Sequence, residues 1–136
     1  MKYFPATFTI VFCLFCSSAY AQSLTLILDF SDEDVQTYSV DWHPGMTIEN
    51  VLQEGVPDKG QGAEFVANWY NSFNSYLISE ILGISNSGQM TWLYCVGNNL
   101  MPLGINNVLA TPNTDVTFRY IDSQTVDFSK IACPTR

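Results

Sequence analysis

With 136 residues, 13 Asp and Glu against 5 Lys and Arg, and a formal net charge of −8, the chain is acidic and of single-domain size. After Lys2 the cations are only Lys59, Arg119, Lys130 and Arg136, too scattered to form a basic patch for phosphates or nucleic acid. Hydrophobic residues make up 47% of the chain, enough for a core.

In chain order, residues 1–21 read as a signal peptide. Lys2 gives a positive start, Phe8 to Phe15 is continuously apolar, and Ala19-Tyr20-Ala21 offers small residues where a signal peptidase reads. Pro5 and Ser17-Ser18 bound that run below the ~20 apolar residues of a membrane span. No later stretch is long and apolar enough to cross a bilayer. The expectation is a secreted, extracellular protein with residues 22–136 as one domain and no membrane partner. Cys13 and Cys16 leave with the signal segment, so Cys95 and Cys133 remain. Two cysteines in an oxidising compartment are expected to pair as a structural disulfide.

Leu24 to Phe30 alternates, with Leu24, Leu26, Leu28 and Phe30 on one face, as a half-buried strand requires. Asp32-Glu33-Asp34 forms a charged turn. Thr37 to Trp42 alternates again, completing an antiparallel hairpin. His43-Pro44-Gly45 breaks the pattern. Thr47 can then cap a short helix whose buried stripe is Ile48, Val51, Leu52 and Val56, limited by Gly55 and Pro57. Asp58 to Gly62 reads as a loop. Ala63 to Phe73 suits a strand by its aromatic residues, although its spacing also fits a short helix. Tyr76 to Ile81 is a clearer strand, and Ser85 to Gly88 a turn. Trp92 to Val96 and Val116 to Ile121 are strands separated by a long excursion rich in Gly, Asn and Pro. The order β-β-α-β-β-β-β predicts an α+β fold: a small β-grasp-like mixed sheet packed on one short helix and closed by one disulfide.

Several pieces of this order resemble a known family. Gly45-Met-Thr-Ile-Glu-Asn-Val-Leu52, the segment Asn74-Ser75-Tyr-Leu-Ile-Ser-Glu-Ile81-Leu-Gly83-Ile84, Thr91-Trp92-Leu-Tyr-Cys-Val-Gly97 and Gly104-Ile105 fall in sequence before a closing strand. Together they resemble the C-terminal β-domain of the transcobalamin and intrinsic factor proteins, over about Leu24 to Asp122. Three positions depart from that pattern: Asn74-Ser75 stands where an aromatic-glycine pair is usual, Thr91 where a tyrosine precedes the tryptophan, and Leu93 where a polar residue is common. Residues 22–136 are read as the β-domain alone, so the helical domain that precedes it in the cobalamin carriers is not expected here. The resemblance therefore implies half of a clamped site. It places the ligand-binding edge at Asn74, Ser75, Tyr76, Leu77, Trp92, Leu93 and Tyr94, with cobalamin or another corrinoid as the candidate small-molecule ligand and no other cofactor.

The same residues have a plainer reading. Trp92 and Tyr94 share a sheet face, and packing of Trp92 against the stripe Ile48/Val51/Leu52 as ordinary core is the favoured reading. His43, the single histidine, has neighbours that suit a turn better than a metal site. Asp32-Glu33-Asp34 lacks the spaced oxygens and glycine of a calcium loop. No nucleophile elbow, phosphate-cradling glycine loop or zinc-ligand spacing is present, so a non-enzyme with neither catalytic nor metal residues is expected. Two readings follow. One is a secreted carrier or binding module for a small ligand; the other is an acidic extracellular-matrix or interaction protein, for example in a mineralising matrix. A separate protein chain could also complete the site.

Overall fold

The computed structural model describes residues 21–56, 64–130 and 132–134. The expected signal segment, except Ala21, and the loop Asp58–Gly62 lie outside the described residues.

The expected hairpin is present as β1 (Gln22–Ser31) and β2 (Asp34–Trp42), antiparallel with Leu26 opposite Tyr38. Leu24, Leu26 and Leu28 are buried, as their alternation predicts. At the turn, the Ser31 hydroxyl accepts from the amides of Glu33 (3.3 Å) and Asp34 (3.1 Å), which lets the carboxylates stay in solvent.

The helix α1 runs Ile48–Gly55 behind a Thr47 cap. The Asn50 amide donates to the Thr47 hydroxyl at 3.3 Å, and the Asn50 side-chain oxygen accepts from the Thr47 amide at 3.0 Å, a reciprocal capping box. Ile48, Val51 and Leu52 are fully buried against the sheet, and Val56 follows as the cap residue. Gly55 is needed here because a Cβ would stand 2.6 Å from Val40 Cγ2 and 2.7 Å from Leu26 Cδ2.

The remaining strands are β3 (Phe65–Tyr70), β4 (Ser75–Ile81), β5 (Ile84–Ser85), β6 (Met90–Val96), β7 (Asn99–Leu100) and β8 (Asp115–Asp122). A five-stranded sheet has the order β2-β1-β8-β6-β7, with β1 and β8 parallel and the other pairs antiparallel. This is the mixed sheet over one helix that the sequence predicts. The strand over Ala63–Phe73 is present in shorter form as β3. A feature not anticipated is that β3, β4 and β5 form a separate three-stranded antiparallel sheet.

The long excursion after β6 acts as a bracket. Met101 N donates to Tyr94 O (3.1 Å) and Ile105 N to Tyr76 O (3.1 Å), joining the two sheets. The first helical amides, otherwise without partners, are also met there: Ile48 N donates to Val108 O and Glu49 N to Ile105 O, both at 3.0 Å. Trp42 Nε1 donates to Ala110 O at 2.9 Å. One stretch of irregular backbone thus fastens helix, β2, β4 and β6 together.

Cys95 and Cys133 are disulfide-bonded at a sequence separation of 38. Closing a loop of that size stabilises the fold by about 4 kcal/mol in the chain-entropy treatment. The bond draws the C-terminal segment onto the sheet face opposite the helix, where Cys133 N donates to Asn98 O at 2.7 Å. On that face Arg119 Nε donates to Asp29 Oδ2 at 2.6 Å across the parallel pair, and Arg119 also reaches the Pro134 carbonyl.

Candidate functional site

Within β6, β7 meets Cys95 and Val96, so the edge of β6 from Met90 to Tyr94 is not paired with it. That edge faces β4, and between them lies an open cleft of about 640 Å³. Tyr76, Leu77 and Ile78 of β4 form one wall, and Thr91, Trp92, Leu93 and Tyr94 of β6 the other. Leu100 to Leu103 and Ile105 close one end, Tyr70 and Phe73 stand at the β3–β4 turn, and Phe128 and Lys130 come in from the C-terminal segment.

Of the residues expected to bind ligand, Tyr76, Leu77, Trp92, Leu93 and Tyr94 line this cleft, whereas Asn74 and Ser75 do not. Asn74 sits in the turn with φ 47, a left-handed conformation that asparagine tolerates. Its carbonyl accepts from Asn107 Nδ2 at 3.0 Å. Ser75 is fully buried and donates through its hydroxyl to Asn106 Oδ1 at 2.8 Å, while accepting from Asn107 Nδ2 at 3.1 Å. These two residues hold β4 to the bracket. A side chain at Gly104 would overlap Ser75 and the Tyr76 carbonyl, so the approach also depends on glycine.

The rings of Trp92 and Tyr94 belong mainly to the core. Trp92 is 5% exposed and Tyr94 6%, within the same cluster as Ile48, Val51 and Leu52. Trp92 meets Phe30 edge-on with centroids 5.3 Å apart and Tyr120 at 5.2 Å, and Tyr94 stacks on Phe118 at 5.3 Å. Their polar atoms are used internally: Trp92 Nε1 donates to Ile84 O at 2.7 Å and Tyr94 Oη to Leu103 O at 2.7 Å. Burial pushes the Tyr94 phenol above its ordinary pKa, because the phenolate would lose its hydration. These side chains form the floor.

The rim is different. Tyr70, Phe73, Tyr76, Leu103 and Phe128 are each more than a third exposed, and Trp69 packs edge-on against Tyr76 at 5.0 Å. Sequence reasoning missed most of this rim. The aromatic run through Tyr70 and Phe73 was a usable signal, because such residues on a strand end imply either core or contact surface. Phe128 and Lys130 had only an indirect signal: the expected Cys95–Cys133 bond returns their segment to β6 without marking which of its side chains meet the cleft. Asn106 and Asn107, two adjacent amides in a loop, were a weak sign of a clamp.

Polar chemistry in the cleft is sparse. Asn86 is occupied, donating to Ile78 O at 3.1 Å and accepting from Trp92 N at 2.9 Å. Among the described residues, no three or more His, Cys, Asp or Glu side chains form a group that could hold a metal. His43 lies apart at its turn, with Nε2 3.2 Å from Glu54 Oε1. An α+β domain with an apolar, aromatic-rimmed cleft at a sheet edge has the form of a small-molecule binding site. No protein-family model matches the chain, and no curated protein matches its sequence.

Proposed function

We propose that the protein is a secreted, non-enzymatic module that binds a small amphipathic ligand in the cleft between β4 and β6. The observation that carries this reading is the contrast within the cleft. Its floor is packed and hydrogen-bonded internally, while its rim leaves large aromatic and aliphatic side chains in solvent. A volume of about 640 Å³ suits a ligand of ordinary small-molecule size. Secretion is supported by the Cys95–Cys133 bond, which persists best in an oxidising compartment. The resemblance to the cobalamin carriers makes a corrinoid the first candidate, lying across the rim and leaving its other face for a second domain or chain.

The test is titration of protein recovered from a secreting host with cobalamin and, separately, with an environment-sensitive apolar dye. Corrin absorbance and tryptophan fluorescence report binding, since Trp69 stands beside Tyr76 at the rim. Saturable change with the dye and with cobalamin supports both site and ligand. Change with the dye alone removes the corrinoid, and change with neither removes the site.

A second reading has its own observation. Val66 and Tyr70, on one face of β3, are each over 40% exposed, apolar surface of the kind that marks protein contacts. In that reading the acidic chain is an extracellular-matrix or interaction protein, and its partner is another protein chain. Recovery from an insoluble matrix fraction, with no response to either small molecule, would favour it.

A further inference from the structure

The charge around the cleft is unlike that of the molecule. The chain carries 13 acidic and 5 basic residues, yet among the described residues no Asp or Glu lines the cleft and one Lys does. An apolar cleft whose described lining is free of carboxylates, on an acidic protein, is a local departure that favours one class of ligand. Resting on the binding reading above, we propose that the cleft takes an amphipathic carboxylate, its apolar body along the rim and its carboxylate at Lys130.

Lys130 is held by its place in the chain. It lies three residues before Cys133, whose disulfide to Cys95 ties this segment to β6, the strand that forms one wall. Its backbone amide donates to Asp127 O at 3.0 Å, closing a turn that also presents Phe128 to the cleft. The ammonium is 3.4 Å from Asp127 Oδ2 and remains mostly in solvent. That neighbour does not line the cleft, and its other oxygen is engaged by Ser129, whose hydroxyl donates at 2.6 Å. An ammonium has three donors, so a ligand carboxylate can share Lys130 with Asp127. Tyr76, Met101, Leu103 and Phe128 supply the apolar contact that drives binding, while the lysine selects the head group. Because Lys130 is exposed and already near one carboxylate, the selection is modest and sensitive to salt.

The experiment compares oleate, oleyl alcohol and oleylamine below their aggregation concentrations, each competing with a bound apolar dye on the intact disulfide-bonded protein. Oleate is expected to bind about threefold to fivefold more tightly than the alcohol at low salt, with the amine weakest and the gap closing as salt rises. Lys130→Gln should remove the acid's advantage over the alcohol. Lys130→Glu should place the amine above the acid, and the thermal midpoint of each variant verifies that it folds. Equal binding of acid and alcohol by the native protein, or an advantage that survives Lys130→Gln, overturns the head-group assignment while the cleft remains a site. Dye binding without displacement by any of the three overturns the ligand class, and absence of dye binding removes the cleft reading itself.

Discussion

The floor and the rim of the cleft are both aromatic, yet they have opposite roles. On the floor, Trp92, Tyr94 and Phe118 are nearly inaccessible, their rings meet other rings, and the indole and phenol donate to main-chain carbonyls. On the rim, Phe73 is 57% and Phe128 60% exposed. Aromatic content alone therefore does not mark a site. What separates the two regions is whether the fold has already supplied partners for the rings. Floor residues hold the structure, and rim residues are left for something else.

That contrast can be broken by substitution. Phe118→Ala on the floor should have the largest effect, destabilising the fold by about 3–5 kcal/mol as a fully buried ring is removed and a cavity left; a denaturant midpoint shift at constant slope would show it. Next comes replacement of both Cys95 and Cys133 by Ser, expected to cost about 2–4 kcal/mol. It should also weaken ligand binding, because Phe128 and Lys130 would no longer be tethered to β6.

Tyr94→Phe should be milder, about 1 kcal/mol for the lost bond to the Leu103 carbonyl. Its pH dependence is more telling. Burial raises the folded-state pKa of Tyr94 above the ordinary value of 10.0, so above that pH the unfolded chain releases a proton that the folded chain retains. Stability from this group is complete below pH 10 and declines as pH rises beyond it. Alkaline unfolding curves of native protein and Tyr94→Phe should differ in slope in that range. Smallest in stability is Phe73→Ala on the rim, within about 0.5 kcal/mol, while its ligand affinity should fall severalfold. Equal stability losses from Phe118→Ala and Phe73→Ala would erase the distinction between floor and rim.

Much of this floor was legible in the chain. Strict alternation in Leu24–Phe30 and Thr37–Trp42 displays a hairpin with one buried face, and Thr47 with the spacing of Ile48, Val51 and Leu52 marks the helix. The second sheet was harder to see. The pairing register skips Ser79 between Ile78 and Glu80, a bulge that breaks the alternation of β4, so burial there falls at Ser75, Ile78 and Ile81 instead of every second residue. The bracket from Met101 to Ala110 works through main-chain hydrogen bonds, which side-chain patterns do not display. Five of the seven residues that the resemblance places at the ligand edge line the cleft, from β4 and β6. Asn74 and Ser75 do not: the Asn74 carbonyl accepts from Asn107, and the Ser75 hydroxyl is held between Asn106 and Asn107. The return of the tail that carries Phe128 and Lys130 was legible through the expected Cys95–Cys133 pairing, but which of its side chains meet the cleft was not.

The most direct measurement is a nuclear magnetic resonance titration of the isotopically labelled protein with oleate, following backbone amides and methyl groups. The account predicts saturable shifts concentrated at Tyr76, Leu77, Met101, Leu103, Phe128 and Lys130, with little change at Leu26, Val40 and Val116 in the core. Saturable shifts centred away from the cleft, or none at any concentration below aggregation, would contradict it.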